Sequence, residues 1–397
     1  PADLIYVVAE VNGLRLAQLP EIEGALVSLN PHDGAILALV GGFDFERNQL
    51  NHVTQAQRQL GSNIKPFIYS AALDNGFSAA TMVNVQPIVK EDSLGNIWKP
   101  QNYSKKFFGP TRLRQALSKS LNLVSVRITE TLGIPLVIDH LERFGFDRKR
   151  MASGLSLALG STNMTPLEIA SAYAVFANGG YQVQPYYIAR IENRDGRVIR
   201  YTNRTLLCPA CDERQKISSQ AAPETSYDRR YVRRVISPEN AFLMSSLMNE
   251  VMTTGTGRKA RTLERDDLSG KTGTTNNFRD AWFTGFNPDL TASVWVGYDQ
   301  PRDLGRRESG SKAALPIWID YMRSALRDKP ERETVIPENI VVAHINRRTG
   351  QVTDRADPEG LAEYFVMGTE PHAQLSIGAP NTRPTTVETE NKVEKLF

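Results

Sequence analysis

The stretch Arg58-Gln59-Leu60-Gly61-Ser62-Asn63-Ile64-Lys65-Pro66-Phe67-Ile68-Tyr69 decides how this chain is read. From Asn63 onward the apolar residues Ile64, Phe67, Ile68, Ala71 and Ala72 recur at helical spacing, and Gly76 supplies a stop. Pro66 fits such a helix only in its first turn, where amide hydrogens lack intrahelical partners. Ser62 is thereby placed at the helix N-terminus, with Lys65 one turn on and on the same face. A serine hydroxyl is a weak nucleophile at neutral pH and needs a neighbouring base. A lysine serves if it is neutral, a state that burial or a nearby cation favours. The ordinary alternative is that Ser62 is a helix cap and Lys65 a bystander.

On the N-terminal side, residues 25–30 and 35–40 are apolar runs flanking Pro31-His32-Asp33-Gly34, which predicts a hairpin. Both arms are nearly continuously apolar, so the sheet is expected to be covered on both faces. Residues 4–11 predict a further strand and 12–23 a connector. On the C-terminal side, residues 77–112 are irregular, with Pro87, Gly95, Pro100, Gly109 and Pro110. A long irregular segment inside a compact domain is more often functional than idle. Its Trp98 and Tyr103 either line a channel or anchor a surface loop. Helical patterns cover 113–132, 135–144, 166–178 and 238–252, and 187–201 alternates around Arg194-Asp195-Gly196. Strands follow at 267–275, 280–287 and 291–298, then a helix over 315–326. This order predicts an α+β fold: an antiparallel five-stranded sheet sandwiched by helices, plus an all-helical subdomain.

The domains expected are a 1–23 linker or remnant, a main domain over 24–330, a small appendix over 331–373 and a disordered polar tail over 374–397. Net charge is only +3 over 397 residues, which excludes a strongly basic nucleic-acid binder. No apolar run approaches membrane-spanning length. The sequence opens on Pro1 and reads as a fragment. His32, His52, His140, His344 and His372 are scattered, so no metal cluster is read. The two cysteines, in Cys208-Pro-Ala-Cys211, lie in a polar, basic excursion over 201–237. A small structural disulfide in an oxidising compartment is expected there, the alternative being a reduced pair without a role.

Two further motifs follow Ser62 and Lys65. Ser120-Leu121-Asn122 interrupts a helical pattern, and asparagine is a poor helix-interior residue, so a turn between helices is expected. There it presents a hydroxyl and an amide to a cleft, or is simply a capping turn. Lys271-Thr272-Gly273-Thr274 falls on the first of the three late strands. Lys271 and Gly273 point one way, Thr272 and Thr274 the other. A glycine inside a strand weakens it unless another backbone must approach closely. The alternative is a surface strand with a solvated lysine.

The ordered trio Ser-x-x-Lys, Ser-x-Asn and Lys-Thr-Gly is shared by serine β-lactamases and penicillin-binding proteins. With Leu157-Ala158-Leu159-Gly160-Ser161, Thr165-Pro166 and Ala177-Asn178-Gly179-Gly180, the sequence resembles the transpeptidase domain of a class A, bifunctional penicillin-binding protein, from about residue 23 to 364. The resemblance implies a D-Ala-D-Ala transpeptidase that cross-links peptidoglycan stem peptides and is inhibited covalently by β-lactams, without metal or cofactor. It implies Ser62 as nucleophile, Lys65 as base, Ser120 and Lys271 as proton relay, and Asn122, Thr272, Gly273 and Thr274 as donor-binding groups. The backbone amides of Ser62 and Thr274 form the implied oxyanion hole. It further implies a membrane helix and a glycosyltransferase domain upstream, lipid-linked glycan strands and regulatory cell-wall proteins as partners, and the periplasmic face of the bacterial inner membrane as the location. A DD-carboxypeptidase, a β-lactamase and a non-turnover β-lactam sensor share much of this pattern. A β-lactamase needs a base to release its ester. Glu168 is the nearest candidate, but its surroundings predict a helix with a core face.

Overall fold

A computed structural model of the chain describes residues 5–91, 95, 97–202, 206–207, 231–232 and 234–371. Cys208 and Cys211, most of the 201–237 excursion and the 374–397 tail lie outside the described residues.

The centre is a five-stranded antiparallel sheet. Its strands are β3 (Glu23–Leu29), β4 (Ile36–Val40), β5 (Ser269–Thr274), β6 (Asp280–Asn287) and β7 (Leu290–Gly297), in the spatial order β5-β6-β7-β3-β4. Strand alternation sorts side chains to two cores. Ala25, Val27, Leu29, Trp282, Phe286 and Trp295 face a helical block. Leu26, Phe283, Ala292 and Val294 face α7 (Ala314–Ala325), through Leu315, Trp318 and Met322. The sheet is therefore sandwiched by helices, as its apolar β3, β6 and β7 anticipate.

The helical block comprises α1 (Lys65–Asp74), α2 (Leu113–Ser118), α3 (Asn122–Leu132), α4 (Ile134–Arg143), α5 (Pro166–Ala177) and α6 (Pro238–Thr253). α5 lies on the sheet, and α1 packs among α3, α4 and α6. Phe67 is the aromatic centre, with Phe144, Phe146 and Tyr173 edge-on at 4.9–5.3 Å. A C-terminal hairpin, β8 (Ile340–Asn346) with β9 (Gly360–Val366), packs on this block. Glu363, buried at 2 % exposure, accepts two hydrogen bonds from Arg114 of α2, at 2.6 and 2.7 Å.

Three local expectations change. Residues 12–23 contain a strand: β2 (Gly13–Ala17) pairs with β1 (Tyr6–Glu10) across a two-residue turn, because Leu14 and Leu16 alternate too briefly to stand out from a connector. β4 is not covered on both faces. It is the sheet's edge, with Leu37 51 % exposed and Val40 also open, and its apolar run marks no burial. Ser62 lies inside a 3₁₀ turn, Gly61–Ile64, and α1 proper begins at Lys65 with Pro66 in its first turn.

Candidate active site

The Ser62 turn is pressed against β5 by glycines. Gly61 has φ +53°, and a Cβ there would lie 2.5 Å from the carbonyl oxygen of Thr274. Gly160 has φ +76°, and a Cβ there would lie 1.9 Å from the carbonyl oxygen of Gly61. At Gly273 a Cβ would lie 2.7 Å from the carbonyl oxygen of Leu60. Three backbones meet where no side chain fits, which is why these positions are glycine.

Hydrogen bonds fix the same turn from its buried side. Asn63 donates through Nδ2 to Thr284 Oγ1 (2.8 Å), and Tyr173 donates its hydroxyl to the Asn63 carbonyl (2.8 Å). The Trp282 indole donates to the Gln59 carbonyl (2.9 Å). Ser62 itself is half-buried, and among the described residues its hydroxyl makes no hydrogen bond.

The second motif is a turn held in an unusual conformation. Ser120 has φ +56°, a left-handed conformation that non-glycine residues adopt only when their surroundings impose it. Asn122 opens α3 rather than lying in the turn. α3 has no cap of its own. Its first amides, Asn122 and Leu123, donate instead to Oδ1 of the buried Asn102, at 2.9 and 3.3 Å. Asn122 Nδ2 donates to the Gln101 carbonyl (2.7 Å). The irregular 77–112 segment thus supports the motif from a distance, and Trp98 and Tyr103 both line the cleft in front of it.

The three motifs converge on Ser120. Lys65 Nζ donates to the Ser120 carbonyl (2.8 Å) and to Asn122 Oδ1 (2.7 Å), and lies 3.3 Å from Ser120 Oγ. Lys271 Nζ lies 2.9 Å from the same Oγ and 2.9 Å from the Thr272 carbonyl. Both lysines are fully buried. Burial, then the neighbouring charge of Lys271, holds the Lys65 amine well below the ordinary lysine value. Burial lowers Lys271 to about 7. Ordinary surface lysines would show none of this, so the reading of Lys271 as a solvated side chain fails.

Ser62, Ser120, Asn122, Thr272 and Thr274 line one cleft of about 480 Å³. Thr272 Oγ1 is 2.7 Å from Thr256 Oγ1, and Thr274 Oγ1 accepts from the Gly310 amide (3.0 Å), leaving its own proton free to donate. Sequence reasoning missed Thr256, Ser309, Ser311 and Asn102 on the cleft lining, and Asn63 behind it. Thr254-Gly255-Thr256-Gly257, just past α6, offered a turn signal for the first, whereas the two asparagines act over long sequence distances that no local pattern records. Glu168 is not a lining residue. It closes a capping box with Thr165 and pairs with Arg150 at 2.7 Å.

The family described as "Penicillin binding protein transpeptidase domain" matches residues 24–323. The chain belongs to that family. Similar curated members of known name are penicillin-binding protein 1A of Pseudomonas aeruginosa, 45% identical over 91% of this chain and 47% of its own length, and that of Escherichia coli, 39% identical over 96% and 51%. The chain spans about half the length of the curated relatives it matches. A crystal structure of penicillin-binding protein 1A from Haemophilus influenzae superposes with TM-score 0.86 at 39% identity, covering 92% of this chain and 56% of that one. PonA1 of Mycobacterium tuberculosis in complex with penicillin V shares the transpeptidase fold at TM-score 0.64 and 24% identity, over 81% of this chain and 82% of that one. Within the transpeptidase family, the α+β sandwich and serine-type transpeptidase chemistry read from the three motifs stand as family properties. No helix among the described residues is long and apolar enough to cross a membrane.

Proposed function

We propose that this domain is a serine D-Ala-D-Ala transpeptidase whose reaction runs through the Ser120 hydroxyl. The observation that carries the proposal is the meeting of two fully buried lysines on that one oxygen, at 3.3 and 2.9 Å, in the cleft that Ser62 lines. A neutral Lys65 has two N–H bonds, and the Ser120 carbonyl and Asn122 Oδ1 take both. Its lone pair is left for a serine proton, which makes it a base for Ser62 one turn away.

Ser62 Oγ attacks the carbonyl of the penultimate D-Ala, and its proton passes to Lys65. The carbon–nitrogen bond then breaks. The leaving D-Ala amine takes a proton from Ser120, which is resupplied from Lys65 on one side or Lys271 on the other. Backbone amides of Ser62 and Thr274 are the proposed oxyanion donors. The glycine contacts at 61, 160 and 273 support this by bringing the two backbones together, and one such donor is worth roughly 10²–10³ in rate. Lys271, Thr272 and Thr274 hold the donor's C-terminal carboxylate. Asn122, oriented between Lys65 and Gln101, holds its backbone, and Gly273 leaves room for the approach of the Ser62 turn. An amine on a second stem peptide takes the acyl group.

Among the described residues, the cleft lining contains no Asp or Glu to activate water, and Glu168 is engaged by Arg150. This favours a transpeptidase over a β-lactamase. β-Lactams, bound by a structural neighbour, are read as donor mimics that stop at the ester. In the longer protein, a glycosyltransferase acting on lipid-linked glycan, a membrane anchor, regulatory cell-wall partners and a place on the periplasmic face of the inner membrane complete the proposal, supported by relatives about twice this length.

Intact-mass analysis with penicillin tests the proposal. One adduct on the native chain, persisting for many minutes after free drug is removed and released faster by a D-amino acid, is expected. An adduct retained by Ser62→Ala, or one lost within seconds in plain buffer, would overturn it.

A further inference from the structure

We infer that Thr256, which belongs to none of the three motifs, is a positioning residue for donor recognition: its hydroxyl directs the Thr272 proton onto the donor's C-terminal carboxylate. The inference rests on the transpeptidase reading, in which Thr272 touches that carboxylate, and adds a residue to it.

The first observation is a count of protons. Thr256 Oγ1 and Thr272 Oγ1 lie 2.7 Å apart, a full hydrogen bond between two hydroxyls. Each hydroxyl has one proton and two lone pairs, and their contact uses one proton. If Thr272 gives its own proton to a carboxylate, the proton in the contact must come from Thr256. The second lone pair of Thr272 is met by Lys271, whose Nζ lies 3.4 Å from Oγ1. A charged Lys271 has three N–H bonds, and Ser120 Oγ, the Thr272 carbonyl and Thr272 Oγ1 are three acceptors for them. Both lone pairs of Thr272 are then filled, and its proton is left to point into the cleft that it lines. A hydroxyl that accepts from a cation is also polarised into a stronger donor.

The second observation is how Thr256 is held. It lies in the turn that ends α6, where the Gly255 amide donates to the Glu250 carbonyl (3.1 Å) and the Gly257 amide to the Val251 carbonyl (2.9 Å). The Thr256 amide donates to the carbonyl of Ser118, the last residue of α2 (3.2 Å). A Cβ at Gly255 would lie 2.4 Å from that same carbonyl oxygen, so the turn and α2 meet backbone to backbone. α2 leads directly into Ser120. Thr256 is thus fixed by the support of the Ser-x-Asn motif on one side and reaches the Lys-Thr-Gly strand with its hydroxyl on the other.

The third is the parallel at Thr274. There the Gly310 amide fills a lone pair at 3.0 Å and leaves the threonine proton free. Both threonines of β5 that line the cleft therefore have a donor behind them, a backbone amide for Thr274 and the Thr256 hydroxyl for Thr272. Only the second can be deleted by a side-chain substitution.

Penicillin and its methyl ester, which carries the same lactam without the free carboxylate, test the inference. Acylation rates with each, followed by intact mass, give a ratio that reads carboxylate recognition apart from the chemistry at Ser62. The native protein should react faster with the acid. Thr256→Val should lower the acid-to-ester ratio about tenfold, within what one hydrogen bond to a charged group is worth. Thr256→Ser should restore it to within about twofold, and Thr256→Ala decides the matter if the valine variant does not fold. A native ratio in the variants that lack the hydroxyl, even with both rates lowered, would mean a merely structural threonine and overturn the inference. A serine variant that behaves like valine, or a native protein indifferent to the carboxylate, would overturn it too. A native protein that takes no adduct from penicillin removes the transpeptidase reading instead.

Discussion

Two lysines at one serine hydroxyl tie activity and stability to pH in opposite ways. Both folded values lie below the unfolded lysine value of 10.5, Lys65 well below and Lys271 at about 7. Between about pH 7 and 10 the unfolded chain therefore binds more protons than the folded one, and stability must rise with pH through that window. Each lysine contributes at most about 1.4 kcal/mol per pH unit. Urea midpoints at pH 7, 8 and 9 should climb in the native protein and climb about half as steeply in Lys271→Met; an identical slope would remove Lys271 from the account. Acylation follows another course. The proposed roles require Lys65 neutral and Lys271 charged, so kcat/KM should be bell-shaped, with two apparent values that belong to the pair. Lys271→Arg should lose the alkaline limb while keeping some activity, because guanidinium stays charged. Lys65→Arg should nearly abolish acylation, because guanidinium cannot act as a base at neutral pH; a stopped-flow trace equal to the native one would refute the role.

The elements that hold these residues divide into those the sequence announces and those it does not. Helical period, Asp-Gly turns and the run of late strands were legible because they are local and repetitive. β4 was misread because an apolar edge strand and an apolar central strand look alike until neighbours are known. Asn102 was invisible for a related reason: it caps a helix twenty residues downstream, and only the folded chain joins them. Asn102→Ala should cost about 1 kcal/mol as a lost cap. By loosening Asn122 it should also slow acylation about ten- to a hundredfold. A denaturation curve with a penicillin-binding rate separates the two effects, and an unchanged rate would show that the cap does not reach the site. The glycine at 160 was quoted in the sequence only as part of a motif. Its geometry makes a stronger claim: Gly160→Ala drives a methyl into the Gly61 carbonyl, should cost about 1–3 kcal/mol, and should depress acylation more than folding. A variant with native acylation would mean that the turn and β5 tolerate separation.

At the scale of the whole molecule, the C-terminal hairpin is bound to the catalytic block by a buried ion pair. Glu363 faces Arg114 at 2.6 Å, and Arg114 also donates to the Ser246 carbonyl (2.9 Å), so α2, α6 and β9 meet at one guanidinium. Removing one partner of such a pair leaves a buried charge alone, so Glu363→Ala should lose about 3 kcal/mol. Glu363→Leu/Arg114→Met should recover only part of it, because Arg112, 3.6 Å from Glu363, loses its partner as well, and urea midpoints of single and double variants decide the matter. Since α2 runs directly into Ser120, a penicillin-binding rate that falls with Glu363→Ala but returns in the double variant would trace the effect to that strut. The N-terminal ribbon makes no ion pair to the rest of the chain among the described residues. Among the described residues β1 and β2 pair only with each other, and Tyr6, Val7, Val8, Leu14 and Leu16 are all open to water. A lone two-stranded ribbon is marginal in water, and an uncovered apolar one is an adhesive surface. For anyone handling the protein, this makes colloidal behaviour the first practical difficulty: light scattering should grow with concentration, and a version beginning at Pro20 should stay clear while taking up penicillin as before.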